Sequence, residues 1–398
     1  MGRIKSYIIE EEARGFYSKD TYVCTRCIDD TALKIFIKKE GSKEHICDYC
    51  DNTRRKKTVP FNKFIQFFLD GLNSEWGDPN DEGVPWEQGW VGAVSDSYDI
   101  INDELDLDFA TEALRQDVLD SLSDKQWCQK DFYQLSPQDA LKAGWKEFVN
   151  VVKHKARFVF FRLEDSHDKF HGFEEIPPSY FLDELGDVIN KCRLYKKLPI
   201  GTDILRMRFH APDKQFKLAT ELGAPPTESA RFPNRMSASG ISAFYGAFDN
   251  ETLIAESRNQ GDEHKTATIG VFESRRELLL VDFTNIPKRP SIFRPNSRRL
   301  RHGLIFIRKL IEDLTAPIKK DGREHIDYVP TQIVAEYLRF IHRRNGNLKI
   351  DGILYESARN PGSKACVLFI DNDDARDIGH ESESTVLSLK STERIELD

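Results

Sequence analysis

The chain has 398 residues, with 58 Lys+Arg against 66 Asp+Glu and a net charge of −8. Its 39% hydrophobic content can fill a real core, and its length allows about two or three domains. The acidic balance argues against a surface built throughout to grip nucleic acid or anionic lipid, and apolar runs such as Leu278–Val281 and Phe158–Phe161 fall far short of a membrane span.

The opening, Met1–Glu12, is polar and has no apolar h-region. It therefore predicts no secretory signal, a cytoplasmic location and reduced thiols. Seven cysteines follow, and four form two tight pairs, Cys24-Thr-Arg-Cys27 and Cys47-Asp-Tyr-Cys50, nineteen residues apart. A C-x-x-C knuckle turns two thiolates toward one point, so two knuckles predict a tetrahedral zinc site. All four positions are thiolates and none is open to water, which predicts a structural ion. Between the pairs, Leu33–Lys39 reads as a strand, giving a zinc-ribbon layout. Arg54–Lys57 is a basic run that reads as a solvated loop and, less favourably, as a phosphate contact.

Next, Phe61–Leu72 has apolar residues at helical spacing. Gly77–Trp90 reads as loop, and Trp76, Trp86 and Trp90 read as buried staples beneath it or, less favourably, as the lining of a ligand pocket. Ser136 followed by Pro137 and Asp139 marks a helix start. Phe158–Phe161 reads as a short strand or a buried helix end. Ile176–Ser179 breaks the pattern and a helix follows over Tyr180–Lys191. Pro199–Asp203 reads as the main seam, dividing the chain into a zinc-ribbon segment (1–60), a helical N-terminal domain (61–198) and a C-terminal domain (199–398). Beyond the seam, Thr266–Val271, Glu277–Asp282 and Cys366–Ile370 read as strands. Leu304–Asp313 and Thr331–Arg344 read as helices. The polar tail from Asp371 reads as carrying a loose loop in its middle.

The second half carries an ordered constellation. Arg206-Met-Arg208 ends an apolar approach, and Arg231-Phe-Pro-Asn-Arg235-Met-Ser-Ala-Ser-Gly240 follows. Then come Phe244-Tyr245, Glu251–Glu256 and Asp351-Gly-Ile-Leu-Tyr-Glu-Ser357-Ala-Arg359. These blocks, from about Leu205 to Ile370, resemble the RES domain family. The family arginines fall on Arg206 and Arg235, its tyrosine on Tyr245, its glutamate on Glu256 and its serine on Ser357. Met236 stands where an aromatic commonly follows the second arginine. The N-terminal half is similar to a HEPN/RES N-terminal domain. Tyr328–Arg339 resembles the helix block of longer RES proteins; no catalytic role is assigned to it, and Pro330 with Thr331 reads as a helix start.

The resemblance implies an α+β protein: a zinc ribbon plus helical domain in front, and a mixed α/β RES domain related in fold to ADP-ribosyltransferase toxins. It implies NAD+ as substrate, with cleavage of the nicotinamide–ribose bond by hydrolysis, phosphorolysis or ADP-ribosyl transfer to a protein. It also implies a toxin or antiphage effector, restrained by an antitoxin or regulatory protein, with homo-oligomerisation a further expectation. The residue types suit this chemistry. Arginine binds phosphate with paired, charge-assisted hydrogen bonds. A carboxylate stabilises an oxocarbenium-like ribosyl centre. An aromatic ring stacks on nicotinamide, and a serine hydroxyl bonds ribose or phosphate. Arg206 and Arg235 are therefore expected on the phosphates, Tyr245 at the nicotinamide ribose, Glu256 at the reacting centre and Ser357 on the cofactor.

Two other readings are weaker. No G-x-G-x-x-G separates a strand from a helix, so a Rossmann dehydrogenase is not expected. Arg162-Leu-Glu-Asp-Ser-His167 fits the Arg-x4–6-His spacing of HEPN ribonucleases, a spacing that chance supplies readily in a chain of this length. Two non-enzymatic alternatives remain: a zinc-dependent nucleic-acid-binding protein, favoured by the basic run after Cys50, and an interaction scaffold with a degenerate RES pocket, against which the retained Arg206, Arg235, Tyr245, Glu256 and Ser357 argue.

Overall fold

The computed structural model describes residues 14–50, 56–105, 107–162, 175–257, 265–316 and 322–397. Met1–Glu12, Arg54 and Arg55 of the basic run, and His167 of the Arg-x4-His spacing lie outside the described residues. The chain divides into two compact units. One comprises residues up to Asp139 with Arg289–His302, and the other comprises Ala140–Lys288 and Gly303 onward.

In the first unit, β1 (Tyr22–Cys24) leads into α1 (Thr31–Glu40), which occupies the segment expected to be a strand. Three local features favour the helix. Asp30 caps it, accepting from the Leu33 amide at 2.9 Å. Lys38 and Lys39 lie in its last turn, where the helix dipole favours cations. Leu33 and Ile37 are buried four residues apart, whereas Ile35, which an alternating strand would bury with them, is 59% exposed. The apparent alternation is thus a coincidence of one exposed isoleucine. β2 (Thr58–Pro60) pairs antiparallel with β1, with Cys24 opposite Thr58.

The expected helix over Phe61–Leu72 is present as α2. Phe61, Phe64 and Phe68 repeat at three- and four-residue spacing, and all are fully buried. The small sheet of β3 (Trp76–Gly77), β4 (Val94–Asp96) and β5 (Gln126–Gln129) follows, with α3 (Glu112–Ser121) before its last strand. Trp86 is 63% exposed and meets Trp90 edge to face, so the tryptophans of this loop are not all buried staples.

Ser136 caps α4 (Pro137–His154), whose first turn ends the first unit and whose remainder opens the second, through the Asp139 amide, as the Ser-Pro-x-Asp pattern predicts. Phe158–Phe161 is neither strand nor buried helix end. Phe158 is 84% exposed and Phe160–Arg162 is a single 3-10 turn. Pro178 opens α5 (Pro178–Cys192), and aromatic contacts from Phe148 to Phe181 and from Phe181 to Phe306 join α4, α5 and the later helix α8 (Arg298–Thr315).

The strands of this unit form one mixed nine-stranded sheet. In chain order they are β6 (Tyr195–Leu198), β7 (Asp203–His210), β8 (Phe244–Ala247), β9 (Thr266–Ser274), β10 (Leu278–Asp282), β13 (Gly352–Glu356), β14 (Lys364–Leu368), β15 (Ala375–Asp377) and β16 (Leu387–Glu396); β11 (Arg343–Arg344) and β12 (Leu348–Lys349) pair separately. The spatial order is β15-β16-β9-β7-β8-β14-β13-β10-β6. The helices are α6 (Ala219–Leu222), α7 (Asn250–Ser257), α8 (Arg298–Thr315), α9 (Glu324–Asp327) and α10 (Val329–Glu336). α10 passes into a π-helical turn at Tyr337–Ile341, so the helix expected to reach Arg344 stops earlier. The middle of the polar tail, residues 378–386, is loop as expected, and after it β16 adds a ten-residue strand alongside β9. Leu387 and Leu389 face the core and draw the tail onto the sheet.

Strand alternation builds two cores. Ile204, Phe244 and Phe272 lie on one face, and Met207, Ala247, Leu253 and Ile269 on the other. β7 pairs with β9 along its whole length, from Asp203 opposite Glu273 to His210 opposite Thr266. With β8 it pairs at one position only, Leu205 opposite Ala247. The sheet therefore forks between β7 and β8. At the root of the fork, a Cβ added to Gly246 would sit 2.6 Å from Ile204 Cγ2 and 3.0 Å from the Leu205 carbonyl. Gly246→Ala should therefore force the strands apart and lower stability by about 1–3 kcal/mol. A thermal melt unchanged from wild type would contradict this close approach.

Candidate functional site

Two sites emerge, one in each unit. In the first, the Sγ atoms of Cys24, Cys27, Cys47 and Cys50 lie within 4.8 Å of one another. The closest pairs are Cys27–Cys47 at 3.5 Å, and Cys24–Cys27 and Cys24–Cys50 at 3.7 Å each. These separations exclude disulfides, whose S–S bond is about 2.05 Å. They fit a tetrahedron around a metal held by ~2.3 Å Zn–S bonds, whose edges are roughly 3.8 Å. The first knuckle is shaped by the Cys27 amide donating to the Cys24 carbonyl, and the Arg26 amide points at Cys24 Sγ. The second is tied to β1 through the Asp48 amide and the Tyr22 carbonyl. The residues present therefore fit zinc.

In the second unit, a cavity of about 870 Å³ opens at the fork between β7 and β8. That volume falls within the ~300–1,000 Å³ usual for small-molecule sites. Arg206, Arg235, Tyr245 and Glu256, far apart in sequence, all line it. Arg206 bridges the fork: its Nη1 donates to the Tyr245 carbonyl at 2.9 Å, and its guanidinium lies 5.1 Å from the centre of the Phe244 ring. Burial and the neighbouring Arg208 push its pKa down to about 10, which leaves it charged in the neutral range.

Arg235 sits in the turn Asn234–Ser237. Its Nη1 donates to the Leu314 carbonyl at 2.7 Å, and its guanidinium lies over the Tyr328 ring. Arg208 also lines the cavity, with its Nη1 on the Glu221 carbonyl. Arg231 is not among the lining residues, whereas Arg359 is.

The Tyr245 hydroxyl accepts from the Met236 amide at 3.1 Å and lies 3.2 Å from Ser237 Oγ. Burial pushes this phenol up to about 12, so it stays neutral. Its oxygen is thus engaged with the turn. Glu256, on α7, accepts from Ser357 Oγ at 2.5 Å through Oε1. Its other oxygen has no hydrogen-bond partner among the described residues. Ser357 itself is 1% exposed and is not a lining residue. Its oxygen also accepts from the Arg359 and Asn360 amides at 3.2 and 3.0 Å, so its hydrogen-bonding capacity is spent.

Sequence reasoning passed over Tyr355. It lines the cavity, and burial together with the Glu256 charge pushes its phenol well above the ordinary tyrosine value. Its signal lay inside the quoted block, two residues before Ser357. A strand residue and the one two positions on share a face only while the strand continues. β13 ends at Glu356, so Tyr355 faces the cavity and Ser357 turns away.

Comparison with known families gives two matches. The RES domain family model matches residues 206–390, and that of HEPN/RES N-terminal domain 1 matches residues 40–166. The chain is a RES domain protein with a HEPN/RES-type N-terminus. Neither the curated proteins nor the solved structures contain a match to it. RES domains are linked to NAD+-processing enzymes. In this RES domain protein, the arginines and the glutamate lie around one cavity, and Ser357 reaches it only through Glu256. No helix among the described residues is long and apolar enough to cross a membrane.

Ser357→Ala would remove the donor to Glu256 and the acceptor of two amides. It should lower the stability of this unit by about 1–3 kcal/mol, and Ser357→Thr should recover part of that loss if its methyl fits. Denaturant unfolding measures both, and an alanine variant as stable as wild type would contradict the network.

Proposed function

We propose that this protein cleaves the nicotinamide–ribose bond of NAD+, as a glycohydrolase or phosphorylase. The observation that carries this reading is the convergence of Arg206, Arg235, Tyr245 and Glu256 on one cavity within a domain whose family processes NAD+. In the proposed reaction the C–N bond to the ribose breaks and nicotinamide leaves with the bonding electron pair as a neutral molecule. A water or inorganic phosphate oxygen forms the new bond at the same carbon. With water, the products are ADP-ribose, nicotinamide and a proton; with phosphate, the sugar carries the phosphate.

Arg206 and Arg235 would hold the pyrophosphate or the attacking phosphate, since both are charged donors. The Tyr245 ring would stack beside the nicotinamide ribose. Glu256, with one oxygen held by Ser357, would offer the other to a ribose hydroxyl or to the nucleophile and would stabilise the cationic centre. Tyr355 is a second neutral phenol beside that carboxylate. Ser357 acts in this scheme by orienting Glu256. Transfer of ADP-ribose to a protein is the same bond cleavage with a different acceptor. By depleting NAD+ the protein would act as a toxin or antiphage effector restrained by a partner, with the spans 1–60, 61–198 and 199–398 as its modules.

The direct test mixes purified full-length protein with NAD+, with and without phosphate, and quantifies nicotinamide and the sugar product. Wild type should release nicotinamide, and Glu256→Ala should lose at least ~100-fold. Because Arg206 stays charged up to about pH 10, its titration should leave NAD+ affinity flat across the neutral range and weaken it only as pH rises through that value. No release under either condition rejects the reading.

The four-cysteine cluster is proposed to hold a structural zinc ion. The four thiolates would fill its coordination shell and leave no position for a substrate. Metal analysis of the purified protein should give one zinc per chain, and Cys47→Ser should lose it. A metal-free wild type that is folded and thermally stable would contradict the assignment.

A further inference from the structure

The helix block Tyr328–Arg339 has no part in the chemistry above, yet it reaches the loop that carries Arg235. Thr331 and Gln332, in the first turn of α10, are 6% and 7% exposed. Thr331 Oγ1 shares its one hydrogen between the Arg235 carbonyl and, at 2.8 Å, the Tyr328 carbonyl, so it ties the Arg235 backbone to the start of the helix block. Gln332 Nε2 donates to the Asn234 carbonyl at 2.8 Å and to the Ser237 carbonyl at 3.3 Å. Further on, Arg339 Nη1 donates to the Ser242 carbonyl at 2.9 Å, closing the far end of the same loop.

These bonds act on a very small object. The turn closes on itself, with the Asn234 amide donating to the Ser237 carbonyl at 2.8 Å. From the sheet side, the Tyr245 hydroxyl takes the Met236 amide. From the helix side, Thr331 and Gln332 take the carbonyls of Asn234, Arg235 and Ser237. The backbone on which Arg235 is mounted is therefore held from both sides, and the guanidinium is steered further by the Leu314 carbonyl and the Tyr328 ring. Such bonding fixes the direction of a charged side chain before any ligand arrives, so less ordering is required on binding.

We propose that Thr331 and Gln332 are positioning residues that preset the Arg235 guanidinium for a phosphate group of the substrate. The inference rests on the NAD+ reading above and adds to it the part played by the helix block. Neither residue touches the ligand, because neither lines the cavity.

The experiment measures nicotinamide release from NAD+ by the full chain, giving kcat and KM separately. Thr331→Val, Thr331→Ser and Gln332→Leu are compared in the wild-type and Arg235→Ala backgrounds. Thr331→Val and Gln332→Leu should each raise KM about tenfold, with kcat within about twofold of wild type. Thr331→Ser keeps the hydroxyl and should stay near wild type. In the Arg235→Ala background, Thr331→Val and Gln332→Leu should add less than about twofold, because the group they position is gone.

An effect on kcat alone, or a full additional loss in the Arg235→Ala background, overturns the proposal. Circular dichroism melting checks that each variant is folded. If Gln332→Leu does not fold, the nearly isosteric Thr331→Val carries the same test, since Thr331 bonds the Arg235 carbonyl itself. A wild type that releases no nicotinamide rejects the NAD+ reading and this inference with it. An active wild type with additive losses rejects the inference alone.

Discussion

The single register contact between β7 and β8 is the constraint on which the candidate active site depends. A sheet that paired these strands fully would have no opening there. Because they meet only at Leu205 and Ala247, the Tyr245 carbonyl takes its donor from the Arg206 side chain. The arginine satisfies a backbone group at the fork and places a cation at the mouth of the gap. A buried guanidinium is costly to leave unpaired, so structure and charge are coupled at this point. Gly246 makes the close approach at the root of the fork sterically feasible.

From this fork the other groups follow by hydrogen bonds. Tyr245 sends its hydroxyl to the Asn234–Ser237 turn, and α10 holds the same turn from its other side. Glu256 hangs from α7 and is tied to the loop after β13 by Ser357. Asn360 adds a bond to Thr252 on α7, so helix and loop are joined at two points. The site is thus a set of charged groups whose mountings are fixed by backbone carbonyls and amides, an arrangement that keeps reorganisation small when charge develops.

The first unit follows a different rule. Its phenylalanine-rich α2 supplies the core, while the four-cysteine cluster joins two short knuckles to β1. It also buries Glu75, which a partner must offset: His302 Nε2 lies 2.8 Å away and Arg301 Nε 3.0 Å away. Burial alone would raise its pKa, but the hydrogen bond to His302 and the charges of Arg301 and Arg298 outweigh it and hold the carboxylate below its usual value.

Sequence by itself determined the elements whose cause is local. The two knuckles, the capped start at Ser136 and the phenylalanine repeat of α2 are short-range patterns, and each is present. So was the ordered set of Arg206, Arg235, Tyr245 and Glu256, because a motif preserves residue types in order. Local pattern failed at α1, where Leu33, Ile35 and Ile37 imitate a strand until tertiary burial selects only the first and last. In the tail the Ser/Glu-rich middle is a loop as its composition suggests, whereas the strand that follows it, β16 between β15 and β9, is set by long-range pairing. Only the tertiary structure decided which neighbour of the motif faces the cavity. Ser357 turns inward beneath Glu256, while Tyr355, never singled out, lines the opening. The physical reason is that facing is set by where β13 ends and where two strands part. Those are long-range pairing choices that no spacing within the chain records.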